Sequence, residues 1–137
     1  MLVGSRPEHA LGYDHPVSEL PIPLALDVAA VELEPWPLEA NQIVAGEPQV
    51  SGVVLHTSAD GSVERGIWEH TAGVSSDTEA DELFVVISGS ATVAITDGPT
   101  LTLRPGVVGV LRAGDRTQWT VHETLRKVYQ VTVAPHD

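Results

Sequence analysis

The chain has 137 residues, enough for one domain of ordinary size, and sets seven Lys and Arg against nineteen Asp and Glu for a net charge of −12, with no cysteine. The missing cysteine removes disulfides, zinc–thiolate sites and thiol nucleophiles. The acidic balance argues against phosphate backbones and anionic lipid, so no nucleic-acid or membrane partner is expected. No apolar run reaches the roughly 20 residues of a membrane helix and no basic-then-apolar leader opens the chain, so a soluble, cytoplasmic protein is expected.

Twenty Val, eleven Thr and five Ile suit pleated, half-buried surfaces, and twelve Gly and ten Pro punctuate the chain at short intervals. In chain order, residues 1–25 read as a Pro-rich N-terminal arm, with residues 1 to about 15 expected to be disordered, and 26–137 as a single domain. Seven prolines fall in the first 48 residues, and each would remove a ladder donor from a central strand. Leu24 to Leu33 therefore reads as extended or one short turn, with Val28 to Leu33 as an edge strand along the domain's outside. Val50 to Thr57 and Val63 to His70 read as strands about an Asp60-Gly61 turn, and Thr71 to Asp81 as a small, polar, acidic loop that could act as a lid. Leu83 to Ile87 is an apolar strand, Ser88-Gly89-Ser90 a tight hairpin turn, and Ala91 to Thr96 the returning strand. Thr100 to Leu103, Val107 to Leu111, Thr117 to His122 and Leu125 to Val133 complete seven to nine short strands, the pattern of a sandwich, jelly roll or small barrel.

Two stretches narrow that choice. Glu82, an apolar strand and Gly89 are similar to the second half of the first cupin motif, and Gly106 with Gly114 in Arg112-Ala113-Gly114 fits the frame of the second. Gly66-Ile67-Trp68-Glu69, Trp119 and Arg126-Lys127-Val128-Tyr129 further resemble the (S)-ureidoglycine aminohydrolase-type cupin subgroup. The resemblance covers about residues 26 to 133. It implies an all-β double-stranded β-helix, a jelly-roll barrel whose mouth takes a small ligand, and pairing into a homodimer that would cover exposed sheet edges. It leaves the reaction open, because the fold hosts enzymes and binding proteins alike.

The family's metal set is two His as His-x-His, a Glu shortly after, and a third His in the second motif. Here only Glu82 is present. Ser76 and Thr78, or Ser75 and Asp77, stand where the first two imidazoles belong, and Thr117 stands in the third position. Hydroxyls are weak ligands for a divalent transition ion, so no metal ligand and no cofactor are assigned. A non-standard metal site would have to draw on His70, His56, Asp77, Glu79 or Asp81 beside Glu82.

Strand parity supplies the candidate site. Glu82, Phe84 and Val86 share a face; if it is the interior, Glu82 is a carboxyl among apolar neighbours and a candidate acid–base catalyst, and otherwise it is a rim carboxylate in water or beside Arg. Thr117, Trp119 and Val121 share another face, with Trp119 either flooring a ligand cavity or serving as ordinary core. Trp68 and His70 lie together, opposite Ile67 and Glu69, and His70 is either a substrate donor or a structural imidazole. Tyr129 could turn its hydroxyl inward, while Arg126-Lys127 is expected to pair with surface carboxylates. The function read from these residues is binding of a small polar metabolite, with Glu82 moving a proton and Trp119, Thr117, His70, Trp68, Tyr129 and Phe84 shaping the site. A metal-dependent aminohydrolase-like enzyme and a non-catalytic binding module stay open as alternatives, and whether the protein is an enzyme is left undecided.

Overall fold

The computed structural model describes residues 20–133. The expectation of disorder for residues 1–15 concerns positions outside that range. The chain forms β1 (Glu34–Pro35), a 3-10 turn (Ala40–Gln42), β2 (Ile43–Ala45), β3 (Val50–Thr57), β4 (Val63–His70), β5 (Gly73–Thr78), β6 (Asp81–Ile95), β7 (Thr100–Leu103), β8 (Val108–Leu111) and β9 (Arg116–Thr132). All pairings are antiparallel. No α-helix occurs among the described residues, as the β-branched composition requires.

Two long strands organise the molecule. The first half of β6 pairs with β8 and with the second half of β9, while the second half of β6 pairs with β7 and with the first half of β9. One leaf thus runs β1-β3-β4-β9-β6-β8, and the other runs β2-β5-β9-β6-β7. The leaves close on a common core in which Trp68 and Phe84 of the first meet Trp119 of the second, with ring centroids 5.4 and 6.0 Å away. This is the jelly-roll architecture expected of the sequence.

Three local expectations are corrected. Ser88-Gly89-Ser90 is a bend within β6, so the chain continues across it to the other leaf. Gly89 has φ of 89°, and a Cβ there would lie 2.0 Å from the Thr124 carbonyl oxygen, so only glycine lets β6 and β9 bend together. Inward-facing residues of β6 switch from even (Glu82, Phe84, Val86) to odd (Ala91, Val93) across this bulge, which a hairpin reading conceals. The supposed loop Thr71 to Asp81 contains β5, whose hydroxyl-rich sequence lacks an apolar signal because its pairing with β2 and β9 carries it. Finally, the edge strand is Glu34–Pro35 rather than Val28 to Leu33, where the chain turns at Asp27.

Candidate functional site

The interior of the first leaf is lined from β4 by Glu64, Trp68 and His70, from β6 by Glu82 and Phe84, and from β9 by Lys127 and Tyr129. The second leaf adds Ser75, Thr117 and Trp119. All seven candidates from the sequence, Glu82, Trp119, Thr117, His70, Trp68, Tyr129 and Phe84, are buried, each at most 4% exposed.

Lys127 occupies the centre. The sequence places it among surface ion pairs, yet its side chain is fully buried, with Nζ 2.7 Å from Oε2 of an equally buried Glu82. The ammonium also stands 4.3 Å from the Trp68 ring centroid and 4.5 Å from those of Phe84 and Trp119. One carboxylate and three aromatic faces thus replace the water an ammonium would otherwise hold. Arg126 points the opposite way and does make an outer pair, 2.9 Å from Glu69, while donating to the carbonyls of Val28 and Val31. Parity carried the signal: Tyr129 and Lys127 are two apart and share a face. Composition carried another, for Lys127 is the only lysine of the chain.

Around this pair lie five further polar contacts, centred on Glu79, His70 and Tyr129. Glu79, between β5 and β6, accepts from the Thr117 hydroxyl at 2.7 Å and from the Trp119 indole N–H at 3.1 Å through Oε2. Thr117, which the resemblance sets in the place of the family's third imidazole, is thus bonded to a carboxylate from the neighbouring turn. His70 lies 2.6 Å through Nδ1 from the Thr71 carbonyl oxygen and 2.8 Å through Nε2 from the Ser75 hydroxyl. A carbonyl only accepts, so Nδ1 carries the proton and Nε2 accepts from Ser75. Burial, with a contribution from the Lys127 charge against the opposing Thr71 bond, lowers the His70 pKa from 6.5 to about 4, so the ring is neutral at pH 7. Deeper along the same leaf the Tyr129 hydroxyl donates to Glu64 at 2.7 Å. Gly66 makes room for it, since a Cβ there would lie 2.5 Å from the hydroxyl oxygen.

The donor set does not suit a transition metal. Ser75 is engaged by His70, Thr117 by Glu79, and the Glu82 carboxylate by an ammonium. His56 lies on the outer side against Arg65, 3.1 Å from Nδ1. Among the described residues no three His, Cys, Asp or Glu side chains are grouped so as to hold an ion.

One side of the barrel is closed by two crossing connections. The β5–β6 turn and the β8–β9 turn are joined by Glu79 N–H to Asp115 O at 2.8 Å, Gly114 N–H to Glu79 O at 2.9 Å, and Ala113 N–H to Asp81 Oδ1 at 2.9 Å. The turn that delivers the Glu79 carboxylate is therefore also part of this closure.

A family model for the EutQ-like cupin domain matches residues 57–129 of this chain. None of the curated proteins matches the sequence. The chain is similar in structure to the Clostridium difficile EutQ protein, at 20% identity and a TM-score of 0.61 over 82% of this chain and 87% of that one. A Pseudomonas syringae pv. tomato protein of unknown function aligns at 26% identity and a TM-score of 0.69, over 78% of this chain and 46% of that one. Ectoine synthase from P. lautus aligns at 15% identity and 0.54, over 69% of this chain and 67% of that one. The low identities of EutQ and ectoine synthase make theirs a likeness of fold.

Proposed function

This chain belongs to the EutQ-like cupin family, and from that premise we propose that it binds a small polar metabolite inside the barrel and moves a proton on it without a transition-metal ion. One observation carries the reading: Glu64, Glu79, Glu82, Lys127 and His70 are buried in an interior whose core is built largely of Trp, Phe, Val and Leu. Burying charged groups there costs stability, and apolar residues of similar volume would fold as well or better. Such groups concentrate where chemistry is done.

Glu82 is the proton-transfer residue of this proposal, and Lys127 balances its charge. A positioned carboxyl of this kind contributes roughly 100- to 10,000-fold to a proton-transfer step. The aromatic rings exclude water, which strengthens each remaining electrostatic contact. Exchange of the Thr117–Glu79 and Ser75–His70 hydrogen bonds would turn these groups to a guest, which would enter by parting the turns at 79–81 and 112–115. The resemblance to (S)-ureidoglycine aminohydrolase-type cupins makes ureido compounds members of the panel to be tried. The metal-dependent form of that activity lacks its imidazoles here.

We also propose a homodimer through the outer face of the first leaf. Leu83, Val85, Val108 and Val110 are exposed there on adjacent strands, in registers Leu83–Val110 and Val85–Val108. In a chain of net charge −12, association through an uncharged patch avoids bringing acidic side chains together. Light scattering should give twice the chain mass, and Val110→Glu should halve it.

The binding reading is tested by thermal-shift measurements against a panel of small amines, carboxylates, carbonyl and ureido compounds. A compound that raises the melting temperature of the wild type but not of Trp119→Ala, and whose turnover is lost in Glu82→Gln, supports the proposal. Stoichiometric transition metal in protein purified without chelator, or no stabilising compound across the panel, overturns it.

A further inference from the structure

Resting on that reading of the barrel, we propose that Lys127 is a nucleophilic amine that forms an imine with a small aldehyde or ketone, with Glu82 as its proton partner. The placement of the chain's only lysine motivates this. Lysine is among the residues least often found fully buried, and the other six Lys or Arg residues of the chain are all arginine. The one primary amine of any side chain is held in a dry box of Trp68, Phe84 and Trp119. An amine in such a box, with a carboxylate 2.7 Å away to take its proton, has the two features that imine-forming lysines need: desolvation and a base within hydrogen-bond reach. Arginine could keep the ion pair equally well, but it has no nucleophilic nitrogen at neutral pH.

The step balances with these two groups alone. The ammonium passes one proton to the Glu82 carboxylate, and the freed nitrogen lone pair attacks the carbonyl carbon. The carbon–oxygen π bond breaks as the nitrogen–carbon bond forms, and Glu82 returns the proton to that oxygen, giving a carbinolamine with a cationic nitrogen. Glu82 then takes a proton from this nitrogen and delivers it to the departing hydroxyl. Water leaves, and a protonated imine remains facing the ionised Glu82. Ammonium and carbonyl compound have become iminium and water, with no oxidant or reductant consumed. The cation formed keeps the place of the ammonium among the three rings, so the box stabilises it as it does the free lysine.

Uniqueness of the lysine makes the test clean. Native wild-type protein is incubated with propionaldehyde and sodium cyanoborohydride at neutral pH, and the site of propylation is found by peptide mass spectrometry. The only competing amine is the α-amino group at the chain's N-terminus, which serves as an internal reference. The expected result is propylation of Lys127 in preference to the α-amine in the native state, and loss of that adduct in Glu82→Gln, whose fold is checked by circular dichroism. Label confined to the α-amine, with Lys127 reacting only after denaturation, overturns the proposal whether or not the variant folds. A folded Glu82→Gln that labels Lys127 as fast as the wild type overturns the role of Glu82. Because the binding panel reads noncovalent stabilisation, failure of the imine test leaves that result standing by itself.

Discussion

Breaking the buried ion pair is the sharpest stability test of the interior. Lys127 and Glu82 have fully buried side chains 2.7 Å apart, so each has exchanged its water for the other. Lys127→Met keeps the length of the side chain and leaves the Glu82 carboxylate without its ammonium, which costs about 3–5 kcal/mol. Glu82→Gln strands the ammonium and falls in the same range, toward its lower end because the amide oxygen still accepts a hydrogen bond. The double variant removes both charges and replaces them with neutral groups of similar volume, which is near neutral or stabilising by about 1–4 kcal/mol. The coupling between the two changes should therefore exceed about 5 kcal/mol, far above the usual range for neighbours of about 0.5–3 kcal/mol. Urea unfolding followed by tryptophan fluorescence suits the measurement, since Trp68 and Trp119 flank the ammonium. Single variants within about 1 kcal/mol of the wild type, or losses that simply add in the double variant, would refute the reasoning about a dry interior.

Other outcomes follow from the contacts around the pair. The His70 pKa is depressed from 6.5 in the unfolded chain to about 4, so its contribution is fully present above pH 6.5 and is lost as pH falls towards 4. Between pH 7.5 and pH 5 this costs about 2 kcal/mol, and His70→Gln should remove that part of the slope in urea melts at the two pH values. Trp119→Phe deletes the N–H that Glu79 accepts at 3.1 Å, and should cost about 1–3 kcal/mol in the same assay. Gly89→Ala sets a Cβ 2.0 Å from a carbonyl oxygen at a φ of 89°. It should cost more than about 2 kcal/mol, read as a fall in the urea midpoint, since strain and overcrowding each contribute roughly 1–3 kcal/mol.

Much of this architecture can be read from residue types, and the unread parts have physical causes. Strands such as Val50–Thr57 and Val63–His70 announce themselves by β-branched residues between turn signals, and alternation alone places Glu82, Phe84, Thr117, Trp119, Trp68 and His70 on faces that prove buried. Strand β5, with its Ser-Ser-Asp-Thr sequence, has no apolar rhythm because only Ser75 is fully buried among its residues. The bend at Gly89 looks like a hairpin because both use Ser and Gly, and only the partner strand distinguishes them. Lys127 reads as a surface group because lysine so rarely goes fully inside, although parity with Tyr129 points inward. Glu79 was hidden in what looked like a solvated acidic loop, since its hydrogen bonds to Thr117 and Trp119 span about forty residues of sequence.

The two unbroken strands β6 and β9 bind the leaves of this molecule together like the spine of a book, bent side by side at Gly89 and Thr124. Any widening of the interior is thereby confined to the free margin, where the turns at 79–81 and 112–115 are clasped by only a few hydrogen bonds. Amide protons along the spine should exchange last and those of the clasp first. A guest could then come and go through that margin while the sheet behind it keeps its register.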